Sequence, residues 1–283
     1  MNSEFHWDFA AILLTLSVVS GAIWLIDAVF FARARRVQLA EKRKAGDRNE
    51  EGESEHEYGY DRPPLLVDYA KSFFPIFFIV LLLRSFLVEP FRIPSGSMNP
   101  TLLIGDFILV NKYEYGIRLP VLNKKIVELG QPKRGDVVVF RYPENPALPF
   151  IKRLVGMPGD HITYDRKKLY INGEEIGRTR LDTYRGVCSG SSEVGARLNE
   201  AFSGQTHQIL HKPTMYQPPR REWKVPEGQY FVLGDNRDNS KDSRVWGMVP
   251  NENLIGRAFM IWMNWDWECS GWITWGRIGD SIK

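Results

Sequence analysis

The sequence predicts a mainly β protein, in which two N-terminal transmembrane helices precede an extracytoplasmic antiparallel β-sheet domain with a β-rich insertion. Two apolar runs lie within the first 88 residues, short β-prone runs separated by turn signals follow from Phe107, and a stretch rich in Ser, Gly and Pro interrupts them. With 283 residues, 43% of them hydrophobic, the chain can bury a sizeable core once the apolar runs are set aside. The net charge of +3 is too small to indicate a nucleic-acid-binding protein.

The first apolar run covers residues 9–31 and is uncharged apart from Asp27. It can cross a hydrocarbon layer of about 30 Å at about 1.5 Å per helical residue. A cleaved signal peptide would start with basic residues, whereas Glu4 and Asp8 precede this run. Residues 1–31 are therefore predicted to hold the first transmembrane segment.

The second apolar run has a short uncharged core, residues 72–83, between Lys71 and Arg84. Extension to residues 69–88 restores a spanning length if both cationic side chains reach the interfaces along their aliphatic stems. The second transmembrane segment is placed at residues 68–88. The alternative is a helix that lies on the membrane or is buried in the outer domain.

Basic residues concentrate just after the first span, while the N-terminal flank has no Lys or Arg. They are Arg33, Arg35, Arg36, Lys42, Arg43 and Lys44. The positive-inside rule then places the linker, residues 32–67, in the cytoplasm, with both termini and residues 89–283 outside. The acidic and polar residues 47–57 are predicted to form a disordered tether.

The outer domain is predicted to be antiparallel β, with strands within residues 107–110, 136–142, 150–155, 230–233 and 257–263. Residues 161–173 read as a hairpin closed near Asp165 and Arg166. An insertion is expected over about residues 161–228. Its residues 177–223 have weak periodicity, and no catalysis is expected there.

The cysteines and histidines of the outer domain give weaker signals. Cys188 and Cys269 could form one disulfide in an oxidising compartment, but their spacing does not decide it. His207 and His211 could share a helix face as metal ligands, but nothing nearby completes a ligand set. They are expected to be solvated surface residues, and neither a metal nor a cofactor is predicted.

Ser97 lies in a constrained turn close to the end of the second apolar run. Pro94 and Pro100 fix their own φ angles and favour extended conformations at the residues before them, and Gly96 allows a close backbone approach. Such a serine beside a membrane suggests hydrolysis of a substrate that arrives through the membrane. The alternative is a plain turn at the end of a membrane helix.

A serine nucleophile needs a base, and none of the five histidines lies in a motif that resembles an active-site partner. A lysine can serve if burial lowers its pKa from about 10.4. Lys152 is in a strand-like run, where alternation places it on the opposite face from Ile151 and Arg153. Without further evidence, a solvated strand lysine is the simpler interpretation, and Arg153 is expected to be a solvated or structural charge.

Four segments in order resemble the motif boxes of the bacterial type I signal peptidases, also called leader peptidases. They are residues 94–98 (Pro-Ser-Gly-Ser-Met), residues 134–140, residues 151–160 around Lys152, and residues 234–244, which begin Gly-Asp-Asn-Arg-Asp. The resemblance also covers the two N-terminal spans and the outer β domain, but not the linker or residues 177–223.

The resemblance implies a Ser-Lys dyad, with Ser97 as nucleophile and Lys152 as general base. It implies an oxyanion hole formed by the Ser95 hydroxyl and the Ser97 N–H group. Ser240 corresponds to the residue that orients the lysine. Asp242 and Arg244 correspond to a polar pair that supports the same loop.

The resemblance also implies a substrate and a location. The substrate is a secretory preprotein that is cut after a small-x-small motif and binds as an extended strand. Apolar residues beside the motifs are expected to line its pockets: Phe91, Ile93, Met98, Leu102 and Ile151. The implied location is the bacterial plasma (inner) membrane, in contact with lipid and near the protein-export machinery.

Two other functions compete with a signal-peptide-cleaving endopeptidase. A membrane-tethered, non-enzymatic β domain that binds partners explains the anchors, but gives no reason for Ser97, Lys152 and Ser240 each to fall inside a motif box. A Ser-Lys hydrolase with another substrate, such as a self-cleaving regulator, usually has a separate DNA-binding domain, which this sequence does not indicate.

Overall fold

The computed structural model describes residues 9–46, 63–118, 125–186, 193–202, 204–265 and 273–282. It divides into two compact units. The first comprises Met1–Phe86 with Leu119–Asn123, and the second comprises Leu87–Arg118 with Lys124–Lys283. The predicted tether, residues 47–57, and the possible disulfide between Cys188 and Cys269 lie outside the described residues.

The first unit is helical. Helix α1 (Phe9–Ile26) continues through a π-helical turn (Asp27–Phe31) into α2 (Ala32–Gly46), and α3 (Leu65–Leu82) ends in a second π-helical turn (Leu83–Leu87). Two segments, Ala11–Gln38 and Leu65–Ser85, are long and apolar enough to cross a membrane. The helices therefore extend further into the predicted linker than the apolar runs do.

Helices α1 and α3 pack closely against each other, in part because Gly21 has no side chain. A Cβ atom at Gly21 would lie 2.8 Å from the ring of Phe74, and Trp24 packs on the same ring with centroids 5.6 Å apart. Asp27 interrupts the apolar run, but its carboxylate accepts a bidentate hydrogen bond from Arg35. This pairing offsets the cost of placing a carboxylate in an apolar segment.

The described residues of the second unit form strands, short 3₁₀ turns and one short α-helix, α4 (Ser243–Trp246). The strands are β1 (Val88–Arg92), β2 (Asp106–Asn111), β3 (Ile117–Arg118), β4 (Lys125–Val127), β5 (Val137–Tyr142), β6 (Asn145–Gly156), β7 (His161–Asp165), β8 (Lys168–Ile171), β9 (Glu174–Glu175), β10 (Arg178–Arg185), β11 (Val194–Phe202), β12 (Gln205–His211), β13 (Arg221–Lys224), β14 (Gln229–Leu233), β15 (Val249–Pro250) and β16 (Leu254–Asn264).

The largest sheet has the strand order β1-β2-β16-β5-β6-β14-β15 and is antiparallel throughout. A core cluster of apolar side chains packs beside its β1, β2, β16 and β5 strands. This cluster includes Ile93, Met98, Leu102, Ile108, Val110, Val137, Val139, Ala258, Ile261 and Ile282. The mainly β fold class and the five predicted strands are confirmed.

The expected insertion is rich in β structure. One sheet has the order β13-β7-β8-β9, and another has the order β10-β11-β12. The predicted hairpin forms with Asp165 paired to Lys168, and Arg166 and Lys167 adopt positive φ angles of 47° and 68° in its turn. Positive φ at both central residues is typical of a two-residue hairpin turn.

The prediction that His207 and His211 are solvated surface residues is wrong. Both lie on β12 rather than on a helix, and only 8% and 6% of their surfaces are exposed. Strand periodicity places them on the same face as the buried Ile209. The ring of Phe202 stacks on His207 at a centroid distance of 4.8 Å, which covers that imidazole.

Candidate active site

Ser97 lies on a single turn of 3₁₀ helix, Gly96–Met98, that follows β1. Ser95 is extended, with φ −140° and ψ 153°, and Asn99 donates its backbone N–H to the carbonyl of Gly96 at 3.1 Å. Met98 is completely buried in the apolar core, which anchors the turn. Ser97 itself is only half-buried, so its hydroxyl is accessible to a substrate.

Lys152 on β6 reaches the nucleophile candidate directly. Its Nζ atom lies 2.8 Å from Ser97 Oγ and also donates to the carbonyl oxygen of Ile151 at 2.7 Å. Only 4% of the lysine is exposed, and its Nζ lies 5.6 Å from the ring centroid of Phe150. The two residues predicted to form a dyad are therefore in contact.

Burial lowers the pKa of Lys152 to about 8, although the nearby carboxylates of Asp242 and Asp235 act in the opposite direction. A buried ammonium loses hydration that the neutral amine does not need. The neutral amine is therefore available at mildly alkaline pH, and it can accept the proton of a hydroxyl 2.8 Å away.

Arg153, the neighbour of Lys152, is a structural charge. Its guanidinium is 1% exposed and donates to both carboxylate oxygens of Asp235, at 2.8 and 2.6 Å. It also donates to the carbonyl of Gly135 at 2.8 Å, while Thr101 donates to Asp235 at 2.6 Å. This buried pair and its hydrogen bonds join four segments of the chain, at Thr101, Gly135, Arg153 and Asp235.

The loop after β14 contributes the predicted supporting pair. Asp242 caps helix α4, accepts the backbone N–H of Gly234 at 3.0 Å, and receives two hydrogen bonds from the guanidinium of Arg244, each 2.8 Å long. Arg244 also donates to the carbonyl of Arg237 at 2.6 Å. These contacts hold the loop in a tight shape beside Ser97.

Ser240 lies within this loop, and its hydroxyl is buried without a hydrogen-bond partner among the described residues. It is close to Gly234, where a Cβ atom would lie 2.2 Å from Ser240 Oγ and 2.5 Å from the carbonyl oxygen of Ser97. The role of Ser240 in orienting Lys152 stays a prediction.

Ser95, the predicted oxyanion-hole residue, is exposed, and its hydroxyl lies 3.4 Å from Ser97 Oγ. The side chain is therefore beside the nucleophile candidate and free to turn towards a substrate. Its function as an oxyanion donor stays a prediction.

The five predicted pocket residues divide into two groups. Ile93, Met98 and Leu102 are at most 2% exposed and belong to the apolar core, whereas Phe91 and Ile151 are partly buried and pack against that core. Only the residues of the second group keep part of their surface exposed. The pocket role of all five stays a prediction.

Asn236 is one of several residues of the last motif box for which the sequence predicts no role. Its backbone N–H donates to the carbonyl of Ser97 at 3.1 Å, and its side-chain amide donates to the carbonyl of Gly96 at 2.9 Å. Its position in the motif box of residues 234–244 is the sequence signal that could have identified it as a site residue. Among the described residues, no three His, Cys, Asp or Glu side chains are arranged to hold a metal ion.

Known proteins resemble this chain over most of its length. The family model described as "Signal peptidase, peptidase S26" matches residues 66–265. A signal peptidase I from Pseudomonas fluorescens is 48% identical over 91% of this chain and 93% of its own length. Signal peptidase I from Pseudomonas aeruginosa is 46% identical over 96% and 98%, and that from Haemophilus influenzae is 35% identical over 94% and 88%.

Proposed function

The chain belongs to the signal peptidase family, peptidase S26, and from this membership we propose that it is a membrane-anchored serine endopeptidase that removes signal peptides with a Ser97–Lys152 dyad. The 2.8 Å separation of Lys152 Nζ and Ser97 Oγ is the observation that carries this proposal. A non-enzymatic binding domain would not need a buried lysine in contact with a turn serine.

In the proposed acylation, neutral Lys152 accepts the proton of Ser97 while Oγ attacks the carbonyl carbon of the scissile bond. The negative charge that develops on the carbonyl oxygen is stabilised by the Ser95 hydroxyl and the Ser97 N–H. The lysine ammonium then protonates the departing amine of the mature protein. An acyl-enzyme ester on Ser97 remains.

In the proposed deacylation, Lys152 is again neutral and takes a proton from a water molecule that attacks the ester. The same two donors stabilise the second tetrahedral intermediate. Its collapse releases the signal peptide with a free carboxylate, and the proton on Lys152 returns to Ser97. No metal or cofactor takes part in this scheme.

The proposed substrate is an extended segment of a secretory preprotein with small residues at the first and third positions before the cut. Strand β1 is at the edge of its sheet, and β14 pairs with β6 only from Arg153 to Gly156. Among the described residues, no strand pairs with the outer edge of β1, or with β6 before Arg153 on the side of β14, and this supports pairing with a substrate strand. Phe91 and Ile151, partly buried between these edges and the core, would exclude large side chains.

The proposed setting is the bacterial inner membrane, with two spans and a cytoplasmic linker. The two apolar segments Ala11–Gln38 and Leu65–Ser85 support the anchoring. The cluster of basic residues after the first span supports the orientation, with the peptidase unit outside. Membrane lipid and the protein-export machinery are the expected neighbours.

The test is cleavage of a preprotein that carries a small-x-small site, in detergent or lipid. We expect Ser97→Ala and Lys152→Ala each to lower the cleavage rate at least about 1,000-fold, because the two residues act as one unit. Lys168→Ala is the matched control, since Lys168 is a surface lysine paired with Glu175 on β8 and β9. It is expected to keep the wild-type rate.

Retained activity in either dyad variant, with a melting temperature like that of the wild type, would remove that residue from the mechanism. Failure of well-folded wild-type protein to cut any small-x-small site would overturn the proposed substrate.

A further inference from the structure

Glu193, just before β11 in the insertion, reaches the turn that carries Ser97. Its Oε1 atom accepts hydrogen bonds from the side-chain amides of Asn236 at 2.6 Å and Asn239 at 3.1 Å. Its Oε2 atom accepts from the side-chain amide of Asn99 at 2.9 Å. One carboxylate therefore joins two residues of the last motif box to the residue that ends the nucleophile turn.

Asn236 transmits this connection to the backbone on both sides of Ser97. One amide hydrogen points to Glu193 and the other to the carbonyl oxygen of Gly96, 2.9 Å away, while the backbone N–H of Asn236 donates to the carbonyl oxygen of Ser97. Asn236 is 1% exposed, so water does not replace these bonds readily. A carboxylate can only accept hydrogen bonds, so Glu193 also decides which way the Asn236 amide faces.

The carbonyl of Gly96 and the N–H of Ser97 belong to the same peptide group. Because a trans peptide is planar, these two bonds point in opposite directions. The Gly96 oxygen is fixed by two donors, the Asn236 amide at 2.9 Å and the Asn99 backbone N–H at 3.1 Å. Fixing this oxygen also fixes the direction of the Ser97 N–H.

Asn99 completes the arrangement from the other side of the turn. It is 6% exposed, and its Nδ2 atom would lie 2.9 Å from a Cβ atom at Gly96. Because Gly96 has no side chain, the side-chain amide of Asn99 can lie close against the Gly96–Ser97 peptide group. The backbone N–H of Asn99 helps to hold the same peptide group. Glu193 in turn holds the Asn99 amide.

We propose that Glu193 is a positioning residue for the oxyanion hole: through Asn236 and Asn99 it fixes the Gly96–Ser97 peptide, and so aims the Ser97 N–H at the developing negative charge. This inference rests on the proposed function, because it assigns a task to the Ser97 N–H in peptide cleavage. It also gives the insertion, where no catalysis is expected from the sequence, a part in the reaction.

The experiment measures steady-state cleavage of a small-x-small preprotein by full-length wild type, Glu193→Ala and Glu193→Gln. We expect Glu193→Ala to lower kcat about tenfold or more, a part of the 100- to 1,000-fold that loss of an oxyanion donor costs. KM should stay within about twofold, since the pocket and strand contacts are unchanged. Glu193→Gln should recover part of kcat, because one amide oxygen can still accept from Asn236.

Three further readouts separate positioning from general damage. The pH midpoint of kcat should match that of the wild type, because Lys152 is untouched. Glu174→Ala, a change at an exposed glutamate on β9 in the same insertion, should leave kcat unchanged. In a double-mutant cycle, Asn236→Ala should cost much less in the Glu193→Ala background than alone, since both act on one peptide group.

Each contrary result overturns a defined claim. If wild type cleaves and Glu193→Ala has the same kcat, or if the cycle is additive, the positioning role is wrong while the proposed function stands. If Glu193→Ala alters KM, the pH midpoint and the melting temperature together, Glu193 is only structural. If wild-type protein fails to cleave, the proposed function fails first.

Discussion

Lys152 is buried, and each of the two carboxylates that raise its pKa is paired with an arginine. Asp235 and Asp242 are the two carboxylates that raise the pKa of Lys152, and each is itself bound to an arginine, Arg153 or Arg244. This pairing weakens the field of both carboxylates at the lysine. Desolvation therefore dominates, and the pKa of Lys152 falls to about 8.

The pH dependence of cleavage follows from this pKa. Below pH 8 the fraction of neutral Lys152 falls about tenfold per pH unit, so we expect kcat/KM to rise with that slope and to level off above pH 8. The measurement is kcat/KM from pH 6 to about pH 10, with preprotein well below KM. Lys168→Ala should give the same profile, and a flat profile over this range would contradict a lysine base.

Single-residue reasoning from the sequence identified Ser97 and Lys152 as candidates, but resemblance was needed to choose between a dyad and a solvated lysine. Strand alternation alone could not show that Lys152 is buried, because that depends on which strands pack over its face. Glu193 gave no local signal, since its partners Asn99 and Asn236 are distant in the sequence. Contacts of this kind follow from tertiary packing.

At the level of elements, one continuous segment faces the nucleophile turn. It consists of strand β14, the loop after it and helix α4. The loop depends on a close approach at Gly234, whose backbone N–H donates to Asp242 at 3.0 Å. There is no room for a side chain at this position, because the carbonyl oxygen of Ser97 and the hydroxyl of Ser240 lie on the side where a Cβ atom would be.

Gly234→Ala is therefore expected to push the loop and the Ser97 turn apart. A new Cβ atom would be 2.5 Å from both the Ser97 carbonyl oxygen and Ser240 Cβ, and neither can retreat without moving backbone. We expect kcat/KM to fall about 100-fold, in line with the cost of a displacement of about 1 Å at an active site.

The matched control is Gly177→Ala, where a Cβ atom would meet no heavy atom within 4 Å. It is expected to leave kcat/KM and the melting temperature unchanged. Wild-type activity in Gly234→Ala would show that the loop and the turn are not held in the contact seen here.

The sequence predicts elements well where short runs of β-prone residues lie between turn signals, as in β2, β5 and β16. It failed in β12, where a spacing of four between His207 and His211 was compared with a helix face, although residues four apart also share one face of a strand. The weak periodicity of residues 177–223 has a physical reason. Strand β10 is mostly exposed on both faces, so its side chains show no alternation.

At the scale of the whole molecule, the sequence separates an apolar helical part from a β part, and two compact units are found. The sequence predicts the two parts from the different length and hydropathy that are typical of a membrane span and of a strand in a water-exposed domain. The strand order of the large sheet could not be predicted from the sequence. Strands β2 and β16 pair with each other although nearly the whole outer domain separates them in the sequence. Pairings between distant segments leave no local pattern.

The distribution of basic residues around the first span predicts the orientation of the chain in the membrane. Six Lys and Arg residues within 33–44 follow the first span, whereas the N-terminal flank has none, so we expect the linker on the cytoplasmic side and the peptidase unit on the other. A site-specific protease sequence inserted after Gly52 should be cut in inverted membrane vesicles and protected in spheroplasts. The same sequence inserted beside Met215, which is 99% exposed in the β domain, should show the opposite pattern. Cleavage of both insertions from the same side, or a reversed pattern, would contradict this topology. A reversed pattern, or cleavage of both insertions only in inverted vesicles, would also place the proposed dyad on the side where preproteins have not yet crossed the membrane.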